Sequence, residues 1–124
     1  RVTAAIIRRK GKILLARRKP GKPMGSKWEF PGGKIGPGES PEECLERELK
    51  EEFSVEARIG ELIGAIRFTN RDVRLHIFVY RVRVSGEFTL NEHEAIRWVL
   101  PDSILDYNLV DSDGVVAREL LTPR

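Results

Sequence analysis

The stretch GGKIGPGESPEECLERELKEEFSV, residues 32–55, places seven glutamates on and just ahead of one short helix. Its grammar predicts where that helix begins. Ser40 is the N-cap, Pro41 takes the first helical position and Glu43 completes a capping box. Leu45, Leu49 and Phe53 lie four apart and form one buried stripe. At about 100° per residue, Glu43, Arg47 and Lys50 fall on the far side, whereas Glu52 lies about 20° and Glu48 about 60° from Leu45. A solvated face accounts for Glu42, Glu43 and Glu46. It does not account for Glu48 and Glu52, which are like charges at i, i+4 on the edge of the apolar stripe, with Glu51 beside them. Partly desolvated carboxylates repel one another unless a cation neutralises them.

Two readings follow: a metal platform, or a structural charge network in which Arg47 compensates Glu51. Oxygen-only ligands suit Mg²⁺, Mn²⁺ or Ca²⁺ rather than zinc. His76 and His93 are too isolated to build a zinc site with Cys44. The Pro31-Gly32-Gly33 turn ahead of the helix allows backbone groups to approach a metal or phosphate closely. Residues 1–28 carry ten Lys or Arg and no acid, although the net charge is only +3. Metal, phosphate and a basic segment together point to phosphoryl chemistry. No GxxxxGK[ST] sequence is present, so this is not a Walker site.

The rest of the chain frames that helix. VTAAIIRRKGKILLARR reads as two strands about a Lys10-Gly11 turn, WEF as a short strand, and residues 19–27 as a Pro/Gly loop. An apolar, β-branched pattern runs from Val55 to Phe68, residues 72–84 alternate like a strand, and IRWV is another strand. Ser112 to Leu121 reads as a C-terminal helix. The expectation is one α/β domain over residues 1–124, with a mixed sheet packed by helices. One cysteine, no visible signal peptide and no apolar run near the roughly 20 residues of a span predict a cytoplasmic chain without a membrane partner. Nucleic acid is not the expected partner, because RRKGK lacks interleaved aromatics.

The segment resembles the box of the Nudix hydrolases, G-x5-E-x7-R-E-U-x-E-E-x-G-U with U aliphatic. Gly33, Glu39, Arg47-Glu48-Leu49, Glu51-Glu52 and Val55 match in spacing, and Ser54 stands where the box has glycine. With WEFPGGK, the layout is similar to the MutT-type branch. The resemblance implies an α/β/α sandwich and Mg²⁺-dependent hydrolysis of phosphoanhydride bonds, Mn²⁺ being an alternative ion. It implies Glu48 and Glu52 as metal ligands, the Gly32 carbonyl as another, and Glu51 as either a further ligand or a group that supports the ligands from behind. Arg47 would orient the glutamates and Glu39 would brace the loop. The general base falls at Glu48 in this branch; in others it comes from a later loop, where Glu92 is the matching candidate and a further ligand. Arg18 matches a substrate-contacting arginine. Glu29 and Phe30 would line the nucleoside side, and Arg71, Asp111, Ser112 and Asp113 fall where the base is read.

The implied activity is a nucleoside triphosphate diphosphatase that releases a nucleoside monophosphate and pyrophosphate, acting on 8-oxo-dGTP or cytosine nucleotides. The alternatives are hydrolysis of another nucleoside diphosphate derivative, such as a nucleotide sugar, and a non-catalytic ligand-binding module. Several residues also have plainer readings. Arg18 also has a reading as a solvated strand base, Arg71 as a turn residue and Glu92 as a solvated loop residue. Trp28 and Trp98 read as core packing, and no role is expected for His93.

Overall fold

The computed structural model describes residues 1–121. Strands β1 (Val2–Arg9) and β2 (Lys12–Arg18) are joined at Lys10-Gly11. Both turn residues have positive φ, 50° and 77°, the pattern that matches the twist of a tight hairpin. β1 and β2 pair only beside that turn, at Arg8↔Ile13 and Arg9↔Lys12, and then part. The next segment fills the gap. β3 (Trp28–Glu29) pairs with β2 through Ala16↔Glu29 and Arg17↔Trp28. Pro31 and Gly33 then accept the β1 amides of Ala5 and Thr3, each at 2.8 Å. The Pro-Gly-Gly backbone is thereby fixed inside the sheet layer.

The sheet continues through β5 (Arg74–Ser85), parallel to β1, and β4 (Glu56–Thr69), antiparallel to β5. β6 (His93–Val99) pairs antiparallel with the other side of β2. The sheet is therefore mixed. Alternate residues of β1 and β2 enter two separate cores. Ala4, Ile6, Ile13 and Leu15 face one, whereas Ala5, Ile7, Leu14 and Ala16 face the other. Burial on both faces explains why these strands read as continuous apolar runs.

Helix α1 (Pro41–Phe53) covers the second core with Leu45, Leu49 and Phe53, each fully buried. Each such side chain contributes about 1.5–3 kcal/mol, which holds the helix rigidly enough to present its glutamates. A 3-10 turn (Pro101–Asp106), helix α2 (Asp111–Val116) and a π-type turn (Ala117–Leu121) cover the first core. This is the α/β/α sandwich expected from the sequence. The predicted C-terminal helix is shorter in its α-helical part, and the 3-10 turn ahead of it is an added element. Trp28 packs edge-on to Tyr107 and Trp98 edge-on to Phe88, as packing residues.

Both ends of α1 are satisfied locally. Ser40 and Glu43 exchange their capping-box bonds at 2.9 and 3.0 Å. At the C-terminus the loop before β6 supplies the donors. Thr89 N–H donates to the Phe53 carbonyl, Asn91 N–H to that of Glu52, and Asn91 Nδ2 to that of Glu51. These bonds bring residues 91–93 opposite Glu52.

Ser54 is left-handed at φ 58°, as a box glycine would be, but its Oγ also accepts from Asn91 Nδ2 at 2.9 Å. Glycine there would relieve about 1–2 kcal/mol of strain and lose a bond worth about 0.5–1.5 kcal/mol. Ser54→Gly should therefore melt at or slightly above wild type. Ser54→Ala, which keeps the strain and loses the bond, should melt lower. A Ser54→Gly protein as unstable as Ser54→Ala would show that the strain contributes nothing.

Candidate active site

Arg47 organises the acidic side of the site. Its Nε and Nη2 donate to the two oxygens of Glu39 at 2.7 and 2.9 Å, and Nη2 also reaches the Lys34 carbonyl. Its Nη1 donates to Glu48 Oε1 at 2.9 Å and reaches Glu51 Oε2 at 3.4 Å. Arg47 and the Gly36 amide hold Glu39 down to about 2, so it stays an anion. Glu48 behaves differently: burial raises its pKa despite Arg47. A Cβ on Gly33 would strike the Glu48 carboxyl, and one on Gly32, at φ 149°, would run into the Thr3 carbonyl. Gly32 is needed for the backbone to pass Thr3, and Gly33 leaves the Glu48 carboxyl the place it occupies.

Glu52 is the most constrained of the group. It is 6% exposed, and its Oε1 has no hydrogen-bond partner. Burial, then the charges of Glu48, Glu29 and Glu92, push its pKa up to about 9, against a hydrogen bond from the Gly32 backbone. An orphaned carboxylate oxygen pressed against a second carboxylate fits a cation better than it fits a packing role. Among the described residues, no three acidic, histidine or cysteine side chains converge as a ready cage. Two carboxylates and a bare glycine backbone, with room for water, suit Mg²⁺, which usually keeps several waters.

The opposite wall is basic. Arg18, Lys19 and Lys22 share one cleft with Glu29, Glu52, Asn91, Glu92 and His93. Arg18 Nη1 lies 3.1 and 3.2 Å from the two Glu29 oxygens, and its Nε donates to the Pro23 carbonyl at 2.9 Å. The cleft thus sets three cations against carboxylates, the arrangement a metal-neutralised polyphosphate needs.

Of the residues singled out from sequence, Arg18, Glu29, Glu52 and Glu92 line this cleft, with Glu48 beside Glu52. Glu51 is exposed and leans to Arg47. Phe30 is buried in the core under α2, on the opposite face from Glu29, because neighbouring strand residues alternate. Its amide donates to Asp113 Oδ2 at 2.9 Å. Asp113 sits in a recess, hemmed in by protein yet keeping some open surface, and burial raises its pKa to about 7. Ser112 is buried, and Asp111 is exposed and pairs with Lys27 at 3.6 Å. Arg71 lies in the exposed turn between β4 and β5, away from the cleft lining.

A family model of the NUDIX domain matches residues 1–120. The chain belongs to the Nudix family, in its MutT-like branch. As a Nudix hydrolase it acts on phosphoanhydride bonds. A CTP pyrophosphohydrolase of Escherichia coli K12 is 39% identical over 113 residues, spanning 90% of this chain and 84% of that protein. The solution structure of the E. coli ORF135 protein superposes with a TM-score of 0.84 at 37% identity, covering 94% of this chain and 84% of the other. A MutT NUDIX hydrolase from Burkholderia pseudomallei superposes with a TM-score of 0.84 at 28% identity, over 98% of this chain and 96% of its own. Among the described residues no helix of this Nudix protein is long and apolar enough to cross a membrane.

His93 and Asn91 are the cleft residues that sequence reasoning left without a role. β6 carries an extra residue opposite the Arg17–Arg18 step, a bulge that turns His93 onto the α1 face beside Arg18. Simple alternation would have put it with Ala95 and Val99, on the other face.

Proposed function

We propose that this Nudix hydrolase is a nucleoside triphosphate diphosphatase that cleaves within the phosphate chain, giving a nucleoside monophosphate and pyrophosphate. The observation that carries the reading is the single cleft in which Arg18, Lys19 and Lys22 face Glu52 and Glu92. Glu48, Glu52 and the Gly32 carbonyl would hold Mg²⁺, with Mn²⁺ as an alternative, and Glu51 and Glu92 are the further candidate ligands from the helix and the cleft wall. When bound, the ion supplies charge neutralisation for the polyphosphate and acidifies water.

The remaining work belongs to the chain itself. Arg18 and the two lysines hold the phosphates. Arg47 fixes the Glu48 carboxyl, and Glu48 takes the proton of the attacking water. The carboxyl is held in place by Arg47 Nη1 at 2.9 Å, which fixes the direction from which it can accept that proton. Glu92, on the cleft wall, is the rival for that proton. The recessed Asp113, beside Ser112 and Asp111, is the candidate reader of the base. With a pKa near neutrality it can donate or accept a hydrogen bond. Cytosine nucleotides are the first candidates and oxidised guanine nucleotides the second.

A screen of pyrophosphate and phosphate release across nucleoside triphosphates and nucleotide sugars, with Mg²⁺ and with EDTA, tests this. Pyrophosphate from a triphosphate only with the metal is the expected result. Release from nucleotide sugars alone would overturn it. Within the same assay, Arg18→Ala should raise KM with kcat nearly unchanged, because a phosphate contact is made before and during reaction. The lost charge-assisted bond is worth about 1.5–3 kcal/mol. An unmoved KM would make Arg18 an ordinary surface base.

A further inference from the structure

His93 is a buried polar residue for which the hydrolysis outlined above has no use. It is 5% exposed, and its ring lies flat on Phe53, with centroids 5.2 Å apart and planes 11° apart. Phe53 is the last residue of α1, so the ring is packed against a fixed support. Nε2 sits 2.8 Å from Glu29 Oε2, while Nδ1 is buried without a partner. A buried N–H with no acceptor is costly. The network therefore assigns the proton to Nε2, which donates to Glu29, and leaves Nδ1 bare.

Glu29 is held from its other side by Arg18 Nη1, bonded to both carboxylate oxygens. Arg18 in turn spends Nε on the Pro23 carbonyl. Of its guanidinium nitrogens only Nη2 makes no hydrogen bond to the described residues, and Arg18 lines the cleft. Arg18 and His93 are cross-strand partners on β2 and β6, and Glu29 pairs with Ala16 of β2, so the three share one face of the sheet.

We propose that His93 is a positioning residue: through Glu29 it holds Arg18 so that the free Nη2 faces the phosphates in the cleft. Without the His93 bond, Glu29 keeps one partner instead of two and swings, and the guanidinium swings with it. A contact that must be ordered on binding loses affinity in both ground and transition states, so the effect falls on KM rather than kcat. The inference rests on the reading of Arg18 as a phosphate contact.

The test is steady-state kinetics, on the triphosphate found in the release screen, for His93→Phe, His93→Gln, Arg18→Ala and the double variant His93→Phe/Arg18→Ala. Phenylalanine keeps the stack on Phe53 and removes the donor; glutamine keeps a donor nitrogen at similar reach. His93→Phe should raise KM roughly tenfold, the low end for a charge-assisted bond, with kcat nearly unchanged. His93→Gln should recover most of that loss. The double variant should be no worse than Arg18→Ala, because His93 acts only through Arg18. Melts of each variant confirm that the stack and the fold persist. A wild-type KM in His93→Phe, with Arg18→Ala impaired, would overturn the positioning role alone and leave His93 as packing. Additive losses in the double variant would overturn the route through Arg18. An unimpaired Arg18→Ala would remove the phosphate contact itself, and the positioning role with it.

Discussion

Glu48→Gln is expected to lower kcat by about 10²–10⁴-fold while the protein stays folded. The substitution keeps the shape of the side chain and an oxygen to accept from Arg47, whose Nη1 lies 2.9 Å from Glu48 Oε1. It removes the ability to take a proton, and it removes one negative charge from the pair with Glu52. Neither loss touches the apolar stripe of α1, so the melt of the metal-free variant should match or exceed that of wild type. Because the interaction matters in the transition state, kcat and kcat/KM should fall together. Glu92→Gln is the informative control, since Glu92 lies on the same cleft. If Glu92→Gln loses most of kcat and Glu48→Gln keeps a near-wild-type value, the base is assigned to the wrong residue.

Glu52→Gln should be more stable than wild type in EDTA at alkaline pH. The sign follows from the shift. The Glu52 pKa rises from 4.5 to about 9 on folding, so the folded protein holds the proton more tightly. The stability tied to that proton is complete below about pH 4.5 and is lost as the pH climbs through 9. Two other groups titrate outside the upper part of this window. Asp113, raised to about 7, changes stability in the same sense but is spent above that pH. Glu39, lowered to about 2, gives stability that is lost only as the pH falls below 4.5. Between about pH 7 and pH 9, then, metal-free wild type should lose stability steadily relative to the variant, with Glu48 and Glu52 sharing the titration because their carboxyls adjoin. Glutamine carries no charge there, and its amide can donate to Glu48. Denaturant melts in EDTA across that range read the difference. Parallel curves for the two proteins would mean that Glu52 is charged and comfortable without a cation.

The legible parts of this molecule are those decided within a few residues of one another. The capping box, the buried stripe and the inward position of Glu52 all follow from helical spacing. The left-handed turn at Ser54 follows from its place just after the helix. The two-faced burial of β1 and β2 is written in their unbroken apolar runs. What stayed hidden depends on register between distant segments. The bulge in β6 turns His93 toward Arg18, and only pairing with β2 reveals it. Asn91 caps α1 from a loop 37 residues beyond Ser54, a bond that no local pattern announces. The resemblance puts Glu29 and Phe30 on one side of the site, yet strand alternation turns Glu29 to the cleft and Phe30 into the core on the opposite face. Arg71 was placed by resemblance alone, and its turn stands apart from the cleft.

If the crowded glutamates of α1 form a metal platform, the protein's melting temperature should respond to millimolar Mg²⁺. A ligand that binds only the folded state stabilises it by RT ln(1 + [L]/Kd), about 2.7 kcal/mol at a hundredfold excess over Kd. Wild type at neutral pH should gain clearly on moving from EDTA to Mg²⁺, since the ion takes the place of the proton that Glu52 otherwise keeps and gives its orphaned oxygen a partner. Glu52→Gln, lacking that carboxylate ligand, should gain little. Equal Mg²⁺ shifts in the two proteins would take Glu52 out of the metal site and return α1 to an ordinary acidic surface.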